Sequence, residues 1–106
     1  MMNRSENDIL AAIGEYLKAK GYFFWRQNTM ATWDAKRCIH RKMPKFSING
    51  VSDILLVKKG KLICIEVKRP KAKQSNSQVD FEAKIVQNDG VYFVATGVED
   101  VINQGL

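Results

Sequence analysis

Two apolar runs joined by a short basic turn constrain this chain more than any other feature of it. Residues 51–57 and 62–68 are rich in aliphatic and β-branched side chains, and Lys58-Lys59-Gly60-Lys61 connects them. Runs of this kind on either side of a glycine-containing turn predict an antiparallel hairpin. Gly60 supplies the positive φ that a tight turn needs. Ile54-Leu55-Leu56-Val57 and Leu62-Ile63-Cys64-Ile65 carry no polar residue at alternate positions. Both strands are therefore expected at the centre of a sheet covered on two sides.

The segments around the hairpin supply the covers. Residues 5–20 predict a helix. Ser5 with Asp8 three residues on resembles a capping box. Ile9, Leu10, Ile13, Tyr16 and Leu17 then form one apolar stripe, and Gly21 takes the position past the helix end. Residues 22–26 are aromatic-rich and short, which predicts a strand with Trp25 in the core. Residues 69–76 read as a polar, basic loop. Ser75 and Gln78 open a second helix with a second capping box. Phe81, Ile85 and Val86 are expected on its inner face, and Gly90 at its end. Residues 91–95 predict a buried strand and residues 98–104 a short closing helix. The order helix, strand, strand, strand, helix, strand, helix gives a single α/β domain over residues 1–106.

At 106 residues the chain has material for one hydrophobic core and too little for two. No apolar run reaches the roughly 18 residues that a membrane span needs. The first residues show no signal-peptide pattern. Cys38 and Cys64 are far apart in sequence, so a reduced, cytoplasmic chain without structural disulfides is expected.

Charge separates the chain into unequal parts. The formal net charge is +6. Residues 1–49 hold nine basic and four acidic side chains, residues 50–75 seven and two, and residues 76–106 one and five. A chain basic over its first three quarters suits a polyanion such as nucleic acid, though a solvated surface gives the same balance. The basic residues concentrate in residues 28–49, a long loop without hydrophobic period. It contains Lys36, Arg37, Arg41, Lys42 and Lys45, with Trp33 and Phe46 between them. On DNA these cations, with Lys71 and Lys73 of the later loop, are expected on phosphates, where contacts position without reading sequence. Either tryptophan could stack on an unpaired base, and Trp33, inside the basic loop, is better placed to do so than Trp25. Cys38 and His40 do not make a zinc site, because about four ligands are needed.

Counting outward from Lys58 opposite Lys61 sets Asp53 opposite Glu66, with Lys68 on the same face two residues on. Like charges facing each other in a sheet are destabilising. A fold that keeps such a pair has reason to hold a compensating cation. Carboxylate oxygens are hard ligands of the kind Mg²⁺ or Mn²⁺ takes. A divalent ion, a lysine and a basic surface are the parts that phosphodiester hydrolysis requires. The bland reading is that Glu66-Val67-Lys68 is an exposed strand end.

Gly50-Val51-Ser52-Asp53, Glu66-Val67-Lys68 and then Gln78 resemble the PD-(D/E)XK nuclease pattern, most closely its virus-type replication-repair nuclease (VRR-NUC) branch. The likeness extends over nearly the whole chain. Glu6 matches an acidic residue near the start of the first helix, and Arg26-Gln27-Asn28 an R-x-N segment. Gly90-Val91-Tyr92-Phe93-Val94 matches a G-x-Y-F-V-like strand. Ser52 departs from the pattern, standing where the family usually has proline. The resemblance implies a restriction-endonuclease-like core, a mixed central sheet flanked by helices. It implies Asp53, Glu66 and the Val67 carbonyl as ligands of Mg²⁺ or Mn²⁺, and Lys68 as the group that positions the attacking water. Glu6 would approach the metal from the first helix, and Gln78 would line the site. Without the family, Glu6 only complements the helix dipole and Gln78 only completes a cap. Stand-alone members of this size, typical of phage and prophage genomes, resemble structure-specific endonucleases that resolve four-way (Holliday) junctions as homodimers. A host-cell cytoplasmic location would follow. The alternatives are a less selective flap or single-strand nuclease and a non-catalytic DNA-binding module.

Overall fold

The computed structural model describes residues 4–27, 33–34, 39–40 and 45–106. Its centre is the hairpin of β4 (Ile54–Lys58) and β5 (Lys61–Val67). The turn needs two left-handed residues, Lys59 at φ 50° and Gly60 at φ 80°. That is the form whose twist matches the flanking strands. The register runs from Lys58↔Lys61 to Ile54↔Ile65, as counted from the turn. The first strand starts three residues later than expected. Gly50 is left-handed at φ 80°, and the Ser52 hydroxyl, fully buried, donates to the Ile54 carbonyl. The backbone of Val51–Asp53 is thereby turned out of the ladder.

β1 (Phe23–Arg26) pairs antiparallel with β4, and β6 (Val91–Ala95) pairs parallel with β5. The result is a four-stranded mixed sheet in the order β1-β4-β5-β6. Two short strands, β2 (Trp33–Asp34) and β3 (Ile39–His40), pair separately within the segment expected to be loop throughout. A two-residue strand is too short for any hydrophobic period to reveal it.

Helices cover both faces of the main sheet. α1 (Glu6–Ala19) has Ser5 as N-cap and a complete capping box with Asp8. Ile9, Ile13 and Leu17 pack with Ile54, Leu56, Ile63, Ile65 and Val67. α3 (Val98–Asn103) closes the same side through Val101. α2 (Asn76–Gln87) covers the other face, where Phe81 packs on Cys64 and Tyr92. The chain is thus a compact α/β domain with a mixed sheet between helices. No helix among the described residues is long and apolar enough to cross a membrane.

Three details differ from expectation. Val86 faces solvent, 56% exposed, because Phe81 and Ile85 alone fill the narrow α2 contact. The left-handed residue after α2 is Asp89 at φ 63°, not Gly90. Gly90 instead allows close packing, since an added Cβ would stand 2.7 Å from Ile85 Cγ2. Trp25 is not core: it lies on the edge strand and is 38% exposed.

Candidate functional site

The open end of the hairpin gathers the acidic residues. Ile65 faces α1 and α3, so alternation turns Glu66 to the α2 side. There it is only 2% exposed. Asp53 precedes β4 and is fixed twice. Its carbonyl accepts from the Gln27 backbone N–H at 2.8 Å, tying it to β1. Its Oδ2 accepts from the Val67 N–H at 2.8 Å, tying it to β5.

Gln78 makes two contacts from one amide. Its Oε1 accepts from the Ser75 N–H at 2.7 Å, closing the capping box, while its Nε2 donates to Glu66 Oε1 at 2.9 Å. The cap orients the amide, and the amide holds the carboxylate. Among the described residues no N–H or hydroxyl group donates to the buried Glu66 Oε2. A buried polar atom without a partner is costly and rare in folded proteins.

Electrostatics follow from this enclosure. Burial, reinforced by hydrogen bonding to Asp53 and by its negative charge, pushes the Glu66 carboxyl up to about 8. Lys68 works against the rise, and Glu6 adds a small further push toward it. With nothing else bound, Glu66 therefore holds its proton at neutral pH. A hard divalent cation would satisfy the same oxygens with the proton gone. The unpartnered Oε2 and the all-oxygen donors fit Mg²⁺ or Mn²⁺. Among the described residues no three His, Cys, Asp or Glu side chains converge. The two buried or anchored carboxylates are Asp53 and Glu66, with Glu6 exposed at the start of α1 and acting on Glu66 through its charge.

The other expected residues are dispersed. Lys68 leaves β5 half-buried, its N–H donating to the Ala95 carbonyl at 3.0 Å. Lys71, left-handed at φ 70°, and Lys73 are exposed in the loop before α2, and Lys45 is exposed beyond β3. Lys36, Arg37, Arg41 and Lys42 lie outside the described residues, as do Asn28 and Cys38. Trp33 and His40 pair through backbone in the β2–β3 ladder. Cys64 is buried, and burial pushes its thiol up, so it stays protonated.

Two features of the site were not foreseen. Gly50 packs against the first turn of α2. A Cβ there would collide with the Ser77 carbonyl and stand 2.7 Å from the Gln78 nitrogen. A polar chain also lies behind Glu66: Gln74 Nε2 donates to the Tyr92 hydroxyl at 2.9 Å and to Glu82 Oε1 at 3.3 Å. Burial holds the Tyr92 hydroxyl protonated well above its ordinary range. The glycine was visible in the motif, but its contact joins residues far apart in sequence. Set against known proteins, the chain matches no family model and no curated protein.

Proposed function

We propose that this protein is a divalent-metal-dependent DNA endonuclease of the PD-(D/E)XK type, with a VRR-NUC-like domain that resolves four-way junctions as a homodimer. One observation carries the reading: the buried Glu66 carboxyl, with an unpartnered oxygen, set beside Asp53 and held by Gln78. Structural carboxylates are found paired with cations or solvated, and among the described residues this one forms no ion pair and is shut from water.

Asp53, Glu66 and the Val67 carbonyl would hold Mg²⁺ or Mn²⁺. Such an ion, when bound, polarises a phosphoryl oxygen and lowers the pKa of its water. The protein's own groups do the rest. The Val67 N–H holds Asp53 in one orientation, and Gln78 holds Glu66 in another, so neither carboxylate must reorganise. Lys68 orients the attacking water and offsets charge growing on the phosphate. Glu6 lends negative charge from α1, favouring the cation. The basic residues of the loops take the flanking phosphates. A two-fold DNA junction asks for two sites related by a two-fold axis, which an isologous dimer provides.

The test is cleavage of labelled duplex, single strand, flap and four-way junction with Mg²⁺, Mn²⁺ or EDTA. The expected result is metal-dependent, paired cutting of the junction. Asp53→Ala and Glu66→Ala should abolish cleavage while DNA binding is kept or tightened, since a carboxylate near phosphate is repulsive. Cutting of every DNA would replace the resolvase with a less selective nuclease. Binding without cutting in any metal would replace it with a non-catalytic module.

A further inference from the structure

The edge strand β1 presents two aromatic side chains on the same face of the sheet as the carboxylate pair. Phe24 packs into the core beneath α1, so alternation sends Phe23 and Trp25 to the opposite face. α2 covers that face over β5 and β6, through Cys64, Phe81 and Tyr92. It does not reach β1, where Phe23 is 68% and Trp25 38% exposed. The two rings lie 5.7 Å apart, tilted by 49°.

Trp25 is also tethered to the site. Its indole N–H donates to Gln27 Oε1 at 3.0 Å, and the Gln27 N–H donates to the Asp53 carbonyl at 2.8 Å. Trp25 pairs with Leu55, two residues from Asp53, which is about 7 Å along a strand. An extended nucleotide spans a similar length. Lys68, Arg69, Lys71 and Lys73 follow the Asp53–Glu66 end of the hairpin along the chain, four cations against two carboxylates. The surroundings thus attract a phosphate backbone rather than an apolar protein partner. A held, exposed aromatic beside a cluster of cations is the arrangement on which single-stranded nucleic acid stacks.

We infer that Phe23 and Trp25 form a stacking platform for an unpaired base beside the Asp53–Glu66 site. The identity of the ligand rests on the nuclease reading above. A paired base inside a duplex offers no free face to the platform. It therefore selects DNA with opened base pairs, such as the centre of a branch.

Trp33→Phe leaves Trp25 as the sole tryptophan. Its emission is followed in EDTA while a short oligothymidylate, or a fully paired hairpin, is added. The single strand should quench Trp25, and the hairpin should not. By anisotropy of the labelled oligothymidylate, Trp25→Ala should weaken binding about tenfold, with Trp25→Phe restoring most of it. Circular dichroism checks that each variant is folded. Binding without quenching, or equal affinity in Trp25→Ala, overturns the platform. So does emission that changes with protein concentration alone, with Trp25→Ala sedimenting as a smaller species of unchanged DNA affinity; a second copy of the chain would then be the occupant. Cleavage is scored separately with Mg²⁺. Full quenching without cleavage sustains the platform and sinks the nuclease. Metal-dependent cleavage without quenching sinks the platform alone.

Discussion

A carboxyl group shut away from water beside a second carboxyl keeps its proton to higher pH than one in solution. For Glu66 the folded value of about 8 stands above the ordinary 4.5. The folded state thus binds the proton more tightly than the unfolded one. The resulting stability is fully present below about pH 4.5 and is lost as pH rises through about 8. In EDTA, urea unfolding should show stability falling between about pH 5 and pH 8, by at most roughly 1.4 kcal/mol per pH unit. Glu66→Gln should flatten that slope, because its amide has no proton to lose. Added Mg²⁺ or Mn²⁺ should stabilise the wild type most at the alkaline end and release protons on binding. A flat profile for the wild type in EDTA would mean that the carboxyl is solvated and the site misread.

The first turn of α2 is where a structural element and the site become one object. Ser75→Ala removes the forward half of the capping box and should cost about 1 kcal/mol. Gln78→Ala removes the return half and also the donor to Glu66 Oε1. It should cost about 1–3 kcal/mol more than Ser75→Ala in denaturant titrations near pH 6. Equal costs would show that the Glu66 contact contributes nothing. Gly50→Ala should destabilise by about 2 kcal/mol or more, since it combines a left-handed backbone with a Cβ aimed at the Ser77 carbonyl. The capping boxes at Ser5–Asp8 and Ser75–Gln78 were legible in the sequence because a cap is decided within four residues. So was the hairpin register from Lys58↔Lys61 to Ile54↔Ile65, because a two-residue turn dictates it; Asp53 lies one step beyond the last of these pairs. The exposure of Trp25 was not legible. Periodicity assigns a residue to a face, and only the landing place of α2 decides whether that face is covered. The Gly50 contact and the Gln74–Tyr92 bond depend on the same packing.

Across the whole molecule the two faces of the sheet are unequally stabilised. Twelve buried residues form the core under α1 and α3, against three under α2. Apolar burial is the dominant favourable term, so α2 should open more readily than α1. Native-state hydrogen exchange should find amides of α2 exchanging at lower opening free energy than those of β4, β5 and α1. A bound divalent ion should slow α2 selectively, because Glu66 and Gln78 connect the two. Equal protection of α1 and α2 would contradict this order. The Lys59–Gly60 turn has a consequence at the same scale. It sits at the far end of the hairpin from the acids and touches none of them, yet it works as the ruler that measures out their separation. One residue inserted between Lys59 and Gly60 would alter neither the charge nor the composition of the acidic end. It would shift β5 against β4 by a single step, and a step in a strand is a change of side. Asp53 and Glu66 would then point away from each other. A length change at this solvent-exposed tip that the turn cannot absorb should therefore silence the site as completely as removing a carboxylate. It should unseat Ile63 and Ile65 from the core as well.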